Sequence, residues 1–126
     1  MKKIIHTSEA PAPIGPYSQA ILSDNTLYAS GQIAIDPLSG LLVQGDIQLE
    51  THQVMKNIEA VLQAASMNFS NIVKTSIFIK NMGQFAEINE VYGLYFPSDY
   101  APARETVEVS ELPKNVNIEI SFIAVK

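Results

Sequence analysis

The sequence predicts an α+β protein: a six-stranded mixed sheet with two helices packed on one of its faces. Three observations lead there. Two stretches carry apolar residues at helical spacing, one after Asp46 and one from about Gln84. Six other stretches read as strands, the plainest being Asn71–Lys80 (NIVKTSIFIK), a run of β-branched residues. Two helices cannot cover both sides of six strands, so both are expected on one side, and the other face needs a different cover.

Taken in order, Lys3–His6 is a short first strand. Ser8–Gly15 contains Pro11 and Pro13, with Pro16 just beyond, and is expected to be an ordered loop. Tyr17–Leu22 and Thr26–Ile33 read as strands joined across Ser23-Asp24-Asn25, which has hairpin-turn chemistry. Asp36–Gly40 (DPLSG) is a turn. Asp46 is a plausible N-cap for a helix in which Ile47, Val54, Met55, Ile58, Val61, Leu62 and Ala65 share one stripe, about five turns in all. After the Asn71–Lys80 strand, Phe85, Ile88, Tyr92, Tyr95 and Phe96 define a second helix from about Gln84 to Phe96, closed by Pro97. Thr106–Val109 and Val116–Val125 are the last strands. The order is β, ββ, α, β, α, ββ, without repeat or linker, and is read as one domain over residues 1–126.

Composition narrows the function classes. At 126 residues with 47% hydrophobic content the chain can bury a core. Its 17% of charged residues falls below the average of about 25%, which suggests that a partner covers part of the surface. A net charge of −5 without a basic stripe argues against nucleic acid and against a peripheral membrane role. No cysteine is present, which excludes disulfides, a thiol nucleophile and Cys-based zinc sites. His6 and His52 show no metal-ligand spacing and are expected on the surface. No secretory signal or membrane-length apolar run is seen, so the expected location is the cytoplasm. On the last strand, Val116, Ile118, Ile120, Phe122 and Ala124 share one face; Asn117, Glu119, Ser121, Ile123 and Val125 share the other. That second face is half apolar and is an expected self-association surface.

Four blocks carry chemistry-bearing residues. They are Gly15-Pro16-Tyr17-Ser18-Gln19-Ala20, Ala29-Ser30-Gly31-Gln32-Ile33, Phe85-Ala86-Glu87-Ile88-Asn89-Glu90-Val91-Tyr92, and Pro102-Ala103-Arg104 with Val107-Glu108-Val109, Leu112-Pro113 and Ile118-Glu119-Ile120. In order and spacing, over essentially the whole chain, they resemble the RidA/YjgF family of reactive intermediate deaminases. The resemblance implies hydrolysis of imines and enamines such as 2-aminoacrylate and 2-iminobutanoate to 2-oxo acids and ammonia. It also implies a chorismate-mutase-like fold, a homotrimer with three clefts between subunits, and no cofactor or metal. In those clefts Arg104 would grip the substrate carboxylate and Glu119 would hold and activate water. Tyr17 would join Glu119 in catalysis, and Ser30, the Gly31 N–H, Asn89 and the Thr106 carbonyl would help bind the substrate.

The residue types suit that chemistry. A guanidinium offers a planar fork to a carboxylate at any working pH. A glutamate lifted toward neutrality by partial burial can exchange protons with water, and Arg104 nearby is expected to oppose the lift. Each residue also has a plainer reading: a surface or paired arginine, a glutamate that merely orients Arg104, a packed tyrosine, a Ser-Gly pair that lets backbones approach, a solvated Asn89. Two alternatives of other classes are a binding module that senses a 2-oxo or other small carboxylic acid, and an RNA-directed nuclease. The sequence departs from the family at Thr106, where many members carry cysteine, at Ala34 in place of a frequent proline, and at Ser121 in place of a frequent glutamate.

Overall fold

The computed structural model describes residues 1–126, the side chain of Ser98 excepted. Its strands are β1 (Lys2–Ile5), β2 (Ala20–Ser23), β3 (Thr26–Gln32), β4 (Ile72–Ile79), β5 (Ala103–Glu108) and β6 (Ile118–Val125); its helices are α1 (Ile47–Ala64) and α2 (Phe85–Gly93). The strands form one mixed sheet in the order β1-β2-β3-β6-β4-β5, in which only β4 and β5 run parallel. Both helices lie on one face. Leu27, Ile77, Ile79, Ile118, Ile120 and Phe122 from the sheet are buried there with Val54, Met55, Ile58 and Leu62 of α1 and Ile88 and Tyr92 of α2. No helix among the described residues is long and apolar enough to cross a membrane.

Local chemistry sets most boundaries. The Asp46 carboxylate accepts from the amides of Gln48 (2.8 Å) and Leu49 (3.2 Å), capping α1 as expected. The β2–β3 hairpin turns tightly at Asp24-Asn25, with Asp24 in the left-handed region (φ 54°) that Asp tolerates.

Several boundaries differ from expectation: β6 begins at Ile118 rather than Val116 and β3 ends at Gln32 rather than Ile33, and three larger differences follow. The strand expected from Tyr17 starts only at Ala20, because Gly15-Pro16-Tyr17 makes a tight turn, closed by Tyr17 N–H to Gly15 O at 2.8 Å. The second helix stops at Gly93 rather than Phe96. Pro97 has no N–H for the Gly93 carbonyl, and its ring would crowd that group. The chain tightens instead to three-residue bonds, Leu94 to Val91, Tyr95 to Tyr92 and Phe96 to Gly93. Tyr95 and Phe96 then pack on Phe69, with ring centroids 5.3 and 5.5 Å apart. The fifth strand begins at Ala103, three residues before the expected Thr106, so Arg104 lies inside it. His52, expected on the surface, is half-buried with Nδ1 2.8 Å from the Tyr95 hydroxyl.

The face opposite the helices is bare. Tyr28 pairs with Ile123, and Val107, Phe78 and Glu119 lie side by side across β5, β4 and β6. Tyr28 is 51% exposed and Val107 41%. The alternation expected for the last strand is observed, with Ile118, Ile120, Phe122 and Ala124 buried and Glu119, Ser121 and Ile123 half-buried on the open side.

Candidate active site

Glu119 stands on the open face. Between the pairs Ala29–Phe122 and Gln32–Ile120, β3 places two residues, Ser30 and Gly31, opposite the single Ser121 of β6. This is a β-bulge, a device that re-aims side chains beside sites. Here it brings the Gly31 backbone against the Glu119 side chain, so closely that a Cβ at position 31 would lie 2.6 Å from the carboxylate carbon. Glycine is the residue that fits. Glu119 is half-buried and has no hydrogen-bond partner among the described residues; burial alone pushes its pKa up.

Beside it opens a cavity of about 390 Å³, walled by Pro11, Ala12 and Ile14 of the loop, by Tyr17, and by the Ser30–Ile33 segment, with Pro113 at its edge. Tyr17 is 50% exposed, and its hydroxyl oxygen accepts from the Ile14 amide at 3.4 Å, which leaves the phenolic proton free. Ser30 Oγ donates to Ser18 O at 2.7 Å, so toward a ligand it can act only as an acceptor.

Arg104 lies elsewhere. It pairs with Thr75, whose buried hydroxyl is 2.8 Å from the Tyr92 hydroxyl on the helix side of the sheet. The guanidinium stacks between α2 rings, 5.5 Å from the Phe85 centroid and 5.1 Å from that of Tyr92, and Nη1 donates to Asn89 Oδ1 at 2.6 Å. No carboxylate pairs with it: the one salt bridge among the described residues joins Lys74 and Glu105. Thr106, two residues along β5, faces the same side, and its Oγ1 is buried without a partner.

Within one chain the structure therefore makes two clusters. Glu119, Tyr17, Ser30 and Gly31 form one on the open face; Arg104, Asn89 and Thr106 form the other at the β5 edge on the helix side. Within the single chain Arg104 lies away from Glu119, and burial is the sole cause of the raised Glu119 pKa; the expected opposition by Arg104 belongs to a cleft between copies. Glu119 does not orient Arg104 within the chain either; Asn89, Phe85 and Tyr92 do. Asn89 accordingly positions the guanidinium.

The sequence places Phe85 and Tyr92 on the apolar stripe of α2 and gives no site role to them or to Gln19. The two aromatics are seven apart, two helical turns, with Asn89 between them on that flank. That spacing marks a face but not the arginine it receives.

Gly31→Ala tests the close approach. The added methyl should drive the Glu119 carboxylate from its half-buried seat and bring its titration down toward the ordinary glutamate value. Carboxyl-carbon NMR reads this directly; an unchanged, raised pKa would mean that the backbone yields instead.

Known proteins resemble this chain over its whole length. The family model described as Endoribonuclease L-PSP matches residues 7–126. A RutC family protein of Pyrococcus horikoshii is 52% identical over 126 residues, covering 100% of this chain and 99% of its own. The 2-iminobutanoate/2-iminopropanoate deaminase of Homo sapiens is 44% identical over 126 residues, covering 100% of this chain and 91% of its own. The crystal structure of a conserved Rid-family protein of unknown function from Yersinia pestis superposes with a TM-score of 0.97 at 51% identity, over 100% of both chains. By the family match over residues 7–126, and by these identities and this superposition, the chain belongs to the RidA/YjgF family, whose family model is described as Endoribonuclease L-PSP.

Proposed function

We propose that the protein hydrolyses reactive 2-imino acids and their enamine tautomers, 2-aminoacrylate and 2-iminobutanoate among them, to 2-oxo acids and ammonia, at sites shared between copies in a homotrimer. The observation that carries this reading is that the chain prepares two complementary charges on opposite faces of one sheet and leaves both without an ionic partner. A stacked guanidinium without a counter-ion is built to receive an anion. A half-buried carboxylate with a raised pKa beside a cavity is built to exchange protons. A second copy that lays its β5 edge across the bare, half-apolar face brings the two together and covers that face. The similarity to the human deaminase supports the substrate class.

In the assembled cleft the substrate carboxylate binds Arg104 of one copy, which places the C=N carbon toward Glu119 of the next. Glu119 takes a proton from water as the water oxygen bonds to that carbon and passes it to the nitrogen, giving a neutral carbinolamine. Glu119 then takes the hydroxyl proton as the C=O forms and delivers it to the nitrogen, so that the C–N bond breaks and ammonia leaves. Tyr17 donates its free phenolic proton to the polar end of the substrate, and Ser30 accepts from it. The single domain, residues 1–126, supplies every group.

The test is subunit mixing. Arg104→Ala and Glu119→Gln should each be nearly inactive. Refolded together in equal amounts, they should recover about a quarter of wild-type ammonia release from freshly generated 2-iminobutanoate, because in a random cyclic trimer about one cleft in four joins an intact Arg104 to an intact Glu119. The sedimentation mass should be three times that of the chain. An active wild type with a dead mixture would place the site within one chain. A wild type that binds 2-oxobutanoate but releases no ammonia would make the protein a binding module.

A further inference from the structure

The proline-rich loop between β1 and β2 forms one side of the cavity beside Glu119, with Pro11, Ala12 and Ile14 as its surface. Such a loop has no ladder of its own. Ala10 anchors it in the core; the rest hangs on one side chain. Gln19 is 2% exposed. Its Oε1 accepts from the Thr7 amide at 2.8 Å, and its Nε2 donates to the carbonyls of Thr7, Ala10 and Pro11 at 3.0, 3.3 and 2.9 Å. Two N–H protons thus serve three carbonyls, an arrangement that no other side chain of this length reproduces. The Gln19 carbonyl accepts from Ser30 N–H at 3.0 Å, which ties the same residue to the bulge that seats Glu119. The other hydrogen bonds of residues 8–16 among those described are local, from Glu9 N–H to Thr7 Oγ1, from Ile14 N–H to the Tyr17 hydroxyl and from Tyr17 N–H to Gly15 O.

In the single chain the cavity measures about 390 Å³, within the range of roughly 300–1,000 Å³ that suits ligands much larger than a three-carbon acid. Its loop side is apolar. We propose that Gln19 is a specificity-determining positioning residue: by stapling the loop it fixes an apolar wall against the substrate side chain, and this wall selects 2-imino acids with extended apolar side chains over those with a methyl group. The proposal rests on the deaminase reading above. A methyl side chain gains little from a wall at the far side of the cavity. A branched four-carbon side chain gains contact only if the wall is held still, since a mobile loop must be ordered at each binding event.

The experiment compares two imino acids made in place by an amino-acid oxidase, one from leucine and one from alanine. In Gln19→Met, which keeps length but loses the amide, kcat/KM for the leucine-derived imine should fall about tenfold, the scale of losing contact with two methylene groups. The fall should lie in KM. The alanine-derived imine should lose much less, and amide hydrogen exchange over residues 8–16 should quicken. Ile14→Ala trims the wall and leaves the staple intact, so it should show the same substrate bias without the faster exchange. A destabilised core, made by Leu62→Ala, should lower both substrates alike. An equal fall for both substrates in Gln19→Met, or no bias in Ile14→Ala, overturns the specificity role; unchanged exchange in Gln19→Met overturns the staple. If the wild type releases ammonia from neither imine, the deaminase reading has failed, and the exchange measurement still judges the staple.

Discussion

Replacing Arg104 by alanine is expected to lower kcat/KM for imine hydrolysis by about 10²-fold or more while leaving the fold intact. The magnitude follows from the contact. A fork that grips a carboxylate makes two charge-assisted hydrogen bonds, each contributing about 1.5–3 kcal/mol, and about 1.4 kcal/mol corresponds to a factor of ten. The tolerance of the fold follows from exposure: Arg104 lies on an edge strand, and its one side-chain hydrogen bond among the described residues is to Asn89. Lysine is not a substitute. It keeps the charge but cannot lie flat between Phe85 and Tyr92 or present two parallel N–H groups. Arg104→Lys should therefore lose most of the activity as well. Initial rates beside thermal melts check both variants. Deamination within a few-fold of wild type in Arg104→Ala would remove the carboxylate anchor from the mechanism.

What could be read from the sequence was local. The Asp46 cap, the stripe of α1 and the alternation along β6 depend on neighbours within a few residues, and each appears where those residues dictate. Pro97 was legible as a stop, but it acts through the carbonyl four residues back, so the helix ends at Gly93. The site was harder for a different reason. Whether Arg104 and Glu119 share a face depends on two pairings: β5 parallel to β4, and β6 antiparallel to β4 on its other side. A slip of one residue in either would move a whole strand's side chains to the other face. Nothing within the motif around Arg104 records that register. Gln19 was hidden in the same way. Its partners, Thr7, Ala10 and Pro11, are carbonyls and an amide of a loop, and backbone groups carry no residue-type signal.

Glu119→Gln is expected to lower kcat by roughly 10²–10⁴, the range for loss of a general base, while affinity for 2-oxobutanoate survives. The amide keeps the shape of the carboxylate and can still hold a water, but it cannot take a proton. Binding should survive because the proposed carboxylate anchor is Arg104, which is held by Asn89, Phe85 and Tyr92 rather than by Glu119. Calorimetric affinity and turnover measured on one preparation separate the roles; parallel loss of both would make Glu119 an organiser of the cleft. The pH profile of the wild type supplies a second discriminator. Glu119 must be ionised to act as base, so activity falls as pH drops through its pKa, which burial raises above the ordinary value. In the proposed trimer without substrate, Arg104 of the adjoining copy would favour the charged carboxylate and oppose that rise. Once a substrate carboxylate neutralises the guanidinium, the opposition weakens and burial prevails. Because kcat/KM reports groups of the free enzyme and kcat those of the substrate complex, the acid limb should lie at higher pH in kcat than in kcat/KM. Coincident limbs would mean that Arg104 and Glu119 do not meet in the assembled site, and a limb that persists in Glu119→Gln would assign the base to another residue.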